Sequence, residues 1–181
     1  YKENDVYTPA LCHRLDTGTS GLVIIAKTPE AEELFLAAIK SREVKKTYLC
    51  VTFGRPTPPD ATLGGYLLKD ADRGIVKIVE DKQPGAKDVE TRYETIAVSG
   101  RLALLKVQLI TGRTHQIRVQ FSSRGLPLLG DIRYGSKDPR CTAALWSCRL
   151  AFLHPVTGKR VDVFCPPPRV YPWDLFPAVE V

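Results

Sequence analysis

Asp16 is the residue whose surroundings could do chemistry. It stands in the run His13-Arg14-Leu15-Asp16-Thr17-Gly18-Thr19-Ser20-Gly21, with an arginine two residues before it and the apolar stretch Leu22 to Ala26 directly after. A carboxylate set in a Thr/Gly/Ser-rich bend beside a strand can be presented to a ligand as base or nucleophile. The same residues also suit an aspartate that only caps its own turn. Two other places offer chemistry. Tyr48 opens an alternating stretch at Lys46-Thr47-Tyr48, and Thr111-Gly112-Arg113-Thr114-His115-Gln116-Ile117-Arg118 closes another.

Composition narrows the partners. The net charge of +6 is uneven, because residues 101–160 carry eleven Lys and Arg against only Asp131 and Asp138. A basic region of that size is either a face that meets polyphosphate or a solvated surface. Of three histidines (His13, His115, His154), none stands at metal-ligand spacing with another His or a Cys, so no metal is expected. Five cysteines without a Cys-x-x-Cys pair are expected to be reduced and mostly buried, which gives a cytoplasmic address. No apolar run approaches the roughly 18 residues of a membrane span, and the opening residues do not read as a secretory leader.

The elements that must position these residues follow from pattern. The opening to Leu11 reads as a connection, and Leu22 to Ala26 as a strand. Thr28-Pro29 supplies an N-cap and a first-turn proline, and Ala31, Leu34, Phe35, Ala38 and Ile39 form a stripe, so a helix is predicted over residues 29–42. Lys45 to Gly54 alternates, with Leu49, Val51 and Phe53 on one face and Tyr48, Cys50 and Thr52 on the other. Residues 55–61 read as a loop, and Gly64-Gly65 and the polar stretch 69–74 bracket a weaker segment. Residues 75–79, 92–98 and 102–110 read as strands, with a turn over 81–88. Residues 115–121 fit either period and are taken as a helix capped by Thr114 and ended at Gly125. A final strand pair is predicted over 149–153 and 160–164, turned by 155–158, before an extended tail with five prolines over 165–177. The expected class is α+β, a mixed and mainly antiparallel sheet with a few flanking helices, in one domain spanning residues 1–181.

These residues resemble the RluA-type pseudouridine synthases. The run His13 to Gly21 is similar to that family's H-R-L-D-x-x-T-S-G signature. In the expected order follow the Lys-x-Tyr at Lys46 to Tyr48, the T-G-R-[ST]-H-Q-[IL]-R run at Thr111 to Arg118 and the G-D-x-x-Y-G run at Gly130 to Gly135. The closing L-x-F-x-H-P-x-T-G-K pattern is matched by Leu150, Phe152, His154, Pro155, Thr157, Gly158 and Lys159.

The resemblance implies the family's catalytic fold and a cofactor-free isomerase that turns uridine into pseudouridine in rRNA or tRNA. The N1–C1′ bond is cut, the uracil is rotated while held, and C5 is joined to C1′. That chemistry needs a carboxylate at the sugar–base junction, and Asp16 matches the family's catalytic aspartate. The base must also leave its stack. By resemblance, Arg14 fills the space it vacates, Tyr48 stacks on the uracil, and Arg118 pairs with the aspartate. Arg113 and Gln116 then support the loop or bind phosphate, Leu150 packs under the base, and His115 is counted with the RNA-binding residues, while by residue type alone His115 reads as a structural donor and His13 as a brace of the loop.

The family's N-terminal strand with its N-K-P-x-G loop has no counterpart here, Trp146-Ser147 stands where the family often has His-Ala, and no S4-type RNA-binding domain is expected. RNA affinity is therefore expected to rest on the catalytic domain, acting as a monomer. Two rival readings remain. Asp16-Thr17-Gly18-Thr19 also matches the D-T-G-[ST] of aspartic proteases, which need a second aspartate in the same site. A non-catalytic RNA-binding module shares every basic feature and differs only in whether Asp16 reacts.

Overall fold

The structure is a computed structural model that describes residues 7–70 and 74–178. Most of the expected opening connection, and part of the 69–74 stretch, lie outside the described residues. Strands β1 (Ala10–Leu11), β2 (Ser20–Gly21) and β3 (Ile25–Ala26) are followed by helix α1 (Pro29–Lys40). Then come β4 (Lys45–Phe53), β5 (Asp60–Asp70), β6 (Ile75–Val79), β7 (Lys87–Ser99), β8 (Leu102–Leu109), α2 (Gln116–Ser122), β9 (Leu145–Leu153) and β10 (Arg160–Phe164). Two short 3-10 turns lie at Ile132–Tyr134 and Trp173–Leu175. The class is the expected α+β.

The principal sheet runs β10-β9-β4-β8-β7-β5-β6, antiparallel throughout, and β2 adds to β9 in parallel. Inside it, between β9 and β8, lies β4, whose alternation buries both faces. Tyr48 and Cys50 join Leu105, Val107, Ile117, Phe121 and Leu145 on one side, while Leu49 and Val51 join Leu104, Leu129 and Phe176 on the other. The expected face assignment therefore holds, except that Phe53 ends the strand exposed. A third cluster packs Phe35 and Ala38 of α1 against Cys12, Ile24, Ala26 and Leu150.

Helix α1 begins where its sequence says it should. Thr28 Oγ1 accepts the Ala31 N–H at 3.2 Å, Pro29 needs no donor, and Glu30 and Glu32 face the positive end of the dipole. The strand expected over residues 22–26 is instead broken. Its first residue docks on β9 and its last two pair with β1, so no single partner runs along it. β5 begins at Asp60 and continues through Gly64-Gly65, turning the expected weak segment into a long strand, because both neighbours β6 and β7 pair along it. The proline-rich tail is not extended throughout, since it makes the turn at Trp173–Leu175 and buries Phe176. Among the described residues no helix is long and apolar enough to cross a membrane.

Gly21 is where the Asp16 segment meets the sheet. Its φ is +116°, and a Cβ there would come within 2.3 Å of the Ser147 carbonyl oxygen. Glycine is thus required both for the backbone and for the close approach. Gly21→Ala is expected to cost about 3 kcal/mol in denaturant unfolding, against about 1 kcal/mol for Gly158→Ala. The control position shares a positive φ but has open space around it.

Candidate active site

Three segments, joined by Lys69 of β5, converge on one cleft of about 410 Å³. The turn after β1 contributes Arg14, Asp16, Thr17 and Thr19. β4 contributes Lys46 and Tyr48, and the loop entering α2 contributes Arg113, Thr114, His115 and Gln116. Leu109, Ile117 and Leu145 form its apolar wall. This volume is that of a small-molecule pocket.

Asp16 is held by main-chain geometry. The Thr19 N–H donates to the Asp16 carbonyl at 2.9 Å, and Gly18 takes φ +87° to close the bend. The bend is tied down on both sides. The Leu22 N–H donates to the Ser147 carbonyl at 2.8 Å, and Ser147 Oγ donates back to the Leu22 carbonyl at 3.0 Å. His13 Nε2 accepts the Ile24 N–H at 3.1 Å, so it braces the loop from behind as a neutral ring, and burial pulls its pKa down further.

Tyr48 is buried in the same place. Burial pushes its phenol up to about 12, the opposed Ser147 hydroxyl pulls the other way, and the Asp16 charge adds to the rise. The group is thus a protonated phenol at any physiological pH. The Asp16 charge also acts on His115 and on Arg118, so all three sense one carboxylate.

Helix α2 shows how the opposite wall is built. Every residue from Gln116 to Phe121 is buried, which makes this a polar helix that must satisfy its side chains internally. Gln116 Oε1 accepts from Thr111 Oγ1 at 2.8 Å and from the Arg113 N–H at 3.0 Å, while Nε2 donates to the Glu90 carbonyl and Thr91 Oγ1. Its amide is thereby used up as a brace for the Thr111–Arg113 loop. His115 caps the helix in a left-handed conformation, φ 54°, in place of the expected Thr114, and its Nδ1 lies 2.7 Å from the Tyr134 hydroxyl. Burial lowers the His115 pKa.

Two expectations are corrected here. Arg118 does not take Asp16 as its carboxylate partner. It forms a bidentate pair with Asp131, Nε to Oδ2 at 2.7 Å and Nη2 to Oδ1 at 2.8 Å, under the Tyr134 ring. The reason is access, since Asp131 is buried against the same side of α2, whereas Asp16 sits across the cleft on a docked turn. Burial opposes the charge on Arg118, but Asp131 and then Asp16 outweigh it and raise the pKa. Leu150 does not line the cleft either. It opposes Lys46 across β4–β9 but lies under α1 with Phe35 and Ala38, and Leu145, five residues earlier, takes the place at the wall.

Sequence reasoning missed Lys46 and Leu145 as cleft residues and Asp131 as a partner. Lys46 and Asp131 stood inside quoted motifs, whereas Leu145 shares the face of Leu150 only through the register shift after Thr47, which no alternation count shows.

With this geometry in view, the comparisons with known proteins agree on one class. The sequence profile of RNA pseudouridylate synthases matches residues 1–123, and the chain belongs to that family. It is 36% identical over 182 residues to an uncharacterised RNA pseudouridine synthase of Mycobacterium bovis, covering 94% of this chain and 55% of that protein. It is 33% identical over 167 residues to the ribosomal large subunit pseudouridine synthase D of Zymomonas mobilis, covering 87% of this chain and 52% of that one. The chain thus spans about half the length of these curated relatives. Among solved structures, human RNA pseudouridylate synthase domain containing 1 superposes with a TM-score of 0.79 at 25% identity, covering 90% of this chain and 71% of that one.

Two measurements test the site. Asp131→Asn strips the charge facing buried Arg118 and is expected to lower unfolding stability by about 3 kcal/mol or more. For Tyr48, the folded pKa of about 12 exceeds the ordinary value of 10.0, so its contribution is intact below pH 10 and is lost as pH rises towards 12. Urea midpoints from pH 9 to 11.5 should therefore fall more steeply for wild type than for Tyr48→Phe.

Proposed function

We propose that this protein is an RNA pseudouridine synthase that isomerises uridine in structured rRNA or tRNA, without a cofactor. The observation that carries the reading is a single cleft holding the Asp16 carboxylate together with Tyr48, Arg14, Arg113 and His115. Family membership gives the reaction class, and the free thiols of all five cysteines agree with a reducing, cytoplasmic setting.

The reaction conserves every atom, so the site has to hold uracil after the N1–C1′ bond breaks and let it turn until C5 meets C1′. Asp16 supplies the carboxylate at C1′ and its neighbouring sugar carbons, on a turn whose backbone is too closely docked to swing away. Tyr48 presents a flat face to the uracil. Its protonated hydroxyl serves as a hydrogen-bond donor. Leu145 and Ile117 complete the apolar wall against which the base turns. Arg14, exposed at the rim, fills the stack that the base leaves, and Arg113 meets the backbone phosphate. Arg118 acts from behind the cleft, through its field on Asp16 and through the packing of α2, with the machinery gathered in one domain and the protein acting as a monomer.

The protease reading lacks its essential feature, because Asp16 is the cleft's only carboxylate among the described residues. The remaining rival is a module that binds RNA and does no chemistry. Purified protein is to be incubated with rRNA and tRNA transcripts, and pseudouridine mapped by carbodiimide-blocked primer extension. Wild type should mark discrete uridines, and Asp16→Asn should bind within about twofold yet lose roughly 10³-fold or more in rate. A wild type that marks no uridine in any transcript overturns the isomerase reading. Binding should also weaken with salt, with a log–log slope of about −0.7 to −0.9 per phosphate contacted.

A further inference from the structure

A second cleft of about 250 Å³ opens beside the first and shares Lys46, Leu109 and Gly112 with it. Its floor is apolar, made by Ile39 at the end of α1, Val44 before β4, and Leu109 at the end of β8. Its rim is cationic, with Arg42, Lys45, Lys46 and Arg92, and no acidic side chain lines it among the described residues. An apolar floor ringed by cations is the chemistry of a nucleotide site, with the base on the floor and the phosphate at the rim.

Three details separate this cleft from a merely solvated basic face. Lys46 is half-buried, with its Nζ beside Gly112, and forms no ion pair among the described residues. A cation drawn in from water with no carboxylate opposite is a cost unless an anion arrives. Arg42 stands just past the C-terminus of α1 with φ 67°, the position where glycine or asparagine is favoured. An arginine there works against the backbone, and its side chain lines the cleft. Among the described residues the ion pair of Arg92 is with Glu90 at 3.8 Å, an exposed and loose contact that a phosphate can displace.

We infer that the second cleft is a binding subsite for a nucleotide flanking the target uridine, its base on Ile39, Val44 and Leu109 and its phosphate held by Arg42, Lys46 and Arg92. The inference rests on the reading of the partner as RNA. Lys46 then has one role in both clefts, facing the backbone between the flipped nucleoside and its neighbour. The subsite takes single-stranded nucleotides, since a paired base could not lie on the floor, and it places part of the recognition outside the reacting base.

The test is binding of a ten-residue oligouridylate, measured by fluorescence anisotropy across salt, for wild type, Arg42→Asn/Arg92→Gln and a control, Lys159→Gln/Arg160→Gln. The control removes two charges from the final strand pair, away from both clefts. The subsite pair should flatten the log–log slope by about 0.7 for each phosphate no longer held and raise Kd about tenfold at 0.1 M salt. The control should stay within about twofold. Arg42→Asn alone should weaken binding while leaving thermal stability equal to or above wild type, because asparagine suits the left-handed backbone. A purely structural arginine would not separate the two. Equal effects from both pairs, or an unchanged slope in the subsite pair, overturn the inference.

The outcomes distinguish this inference from the isomerase reading. If wild type forms no pseudouridine but the slopes shift as expected, the subsite stands and the isomerase reading falls. If uridines are isomerised with KM unchanged in Arg42→Asn/Arg92→Gln, the subsite falls alone. Failure of wild type to bind the oligouridylate at low salt overturns the subsite outright.

Discussion

One side of the cleft depends on a buried ion pair. Helix α2 has seven residues, far too few to be stable by itself, and it is buried all round. It stands because its polar side chains are anchored to neighbouring elements. Arg118 grips Asp131 with two bonds, Gln116 ties the Thr111–Arg113 loop to Glu90 and Thr91, and Gln120 Nε2 donates to the Leu63 carbonyl at 2.9 Å. Left-handed His115 and its contact with Tyr134 follow from where that helix is forced to begin. The basic loop over the cleft is therefore held by a polar network as well as by the packing of Ile117, Val119 and Phe121 on the apolar core. Such a network is rigid only when every member is satisfied.

The same pair decides how charge is distributed. An arginine bound face to face with a carboxylate is nearly neutral at a distance, so Arg118 contributes only part of the field at Asp16. The fuller positive charges of the cleft are Arg14, Lys46, Lys69 and Arg113, none of which forms an ion pair among the described residues. Arg113 has only a long contact to the Asp88 carbonyl at 3.3 Å. The cleft thus presents one anion among several uncompensated cations, an arrangement that suits a polyanionic partner better than a neutral one.

Local features were legible in the sequence where a local rule decides them. Thr28, Pro29 and the Ala31-to-Ile39 stripe specify α1 without reference to anything distant. The alternation from Lys45 onward and the hairpin of β9 and β10 were likewise readable. What failed needed a partner from elsewhere in the chain. The 22–26 stretch is apolar enough for a strand, yet it is shared between β9 and β1 and so becomes two fragments. Arg118 was assigned the carboxylate that the motif suggests, but the winner is thirteen residues along the chain, delivered by the turn at Gly130 to Gly135. Leu150 has the right residue type and the wrong depth, because a motif names a strand position without saying what covers it.

That depth is set by a register shift. β4 and β9 pair Thr47 with Arg149 but Tyr48 with Ser147, so Cys148 is the extra residue of a bulge beside the cleft. The shift keeps Leu145 and Leu150 on the same side of the sheet while moving Leu150 away beneath α1. It also stacks two functions on one residue. Ser147 opposes Tyr48 and, through its backbone and hydroxyl, holds Leu22 and so the turn that carries Asp16. Asp16 and Tyr48 are thirty-two positions apart in sequence, but they hang from the same point of β9. A glycine at position 21 is the condition for that close docking, since any side chain there would push the carboxylate's turn off the strand that also fixes the phenol.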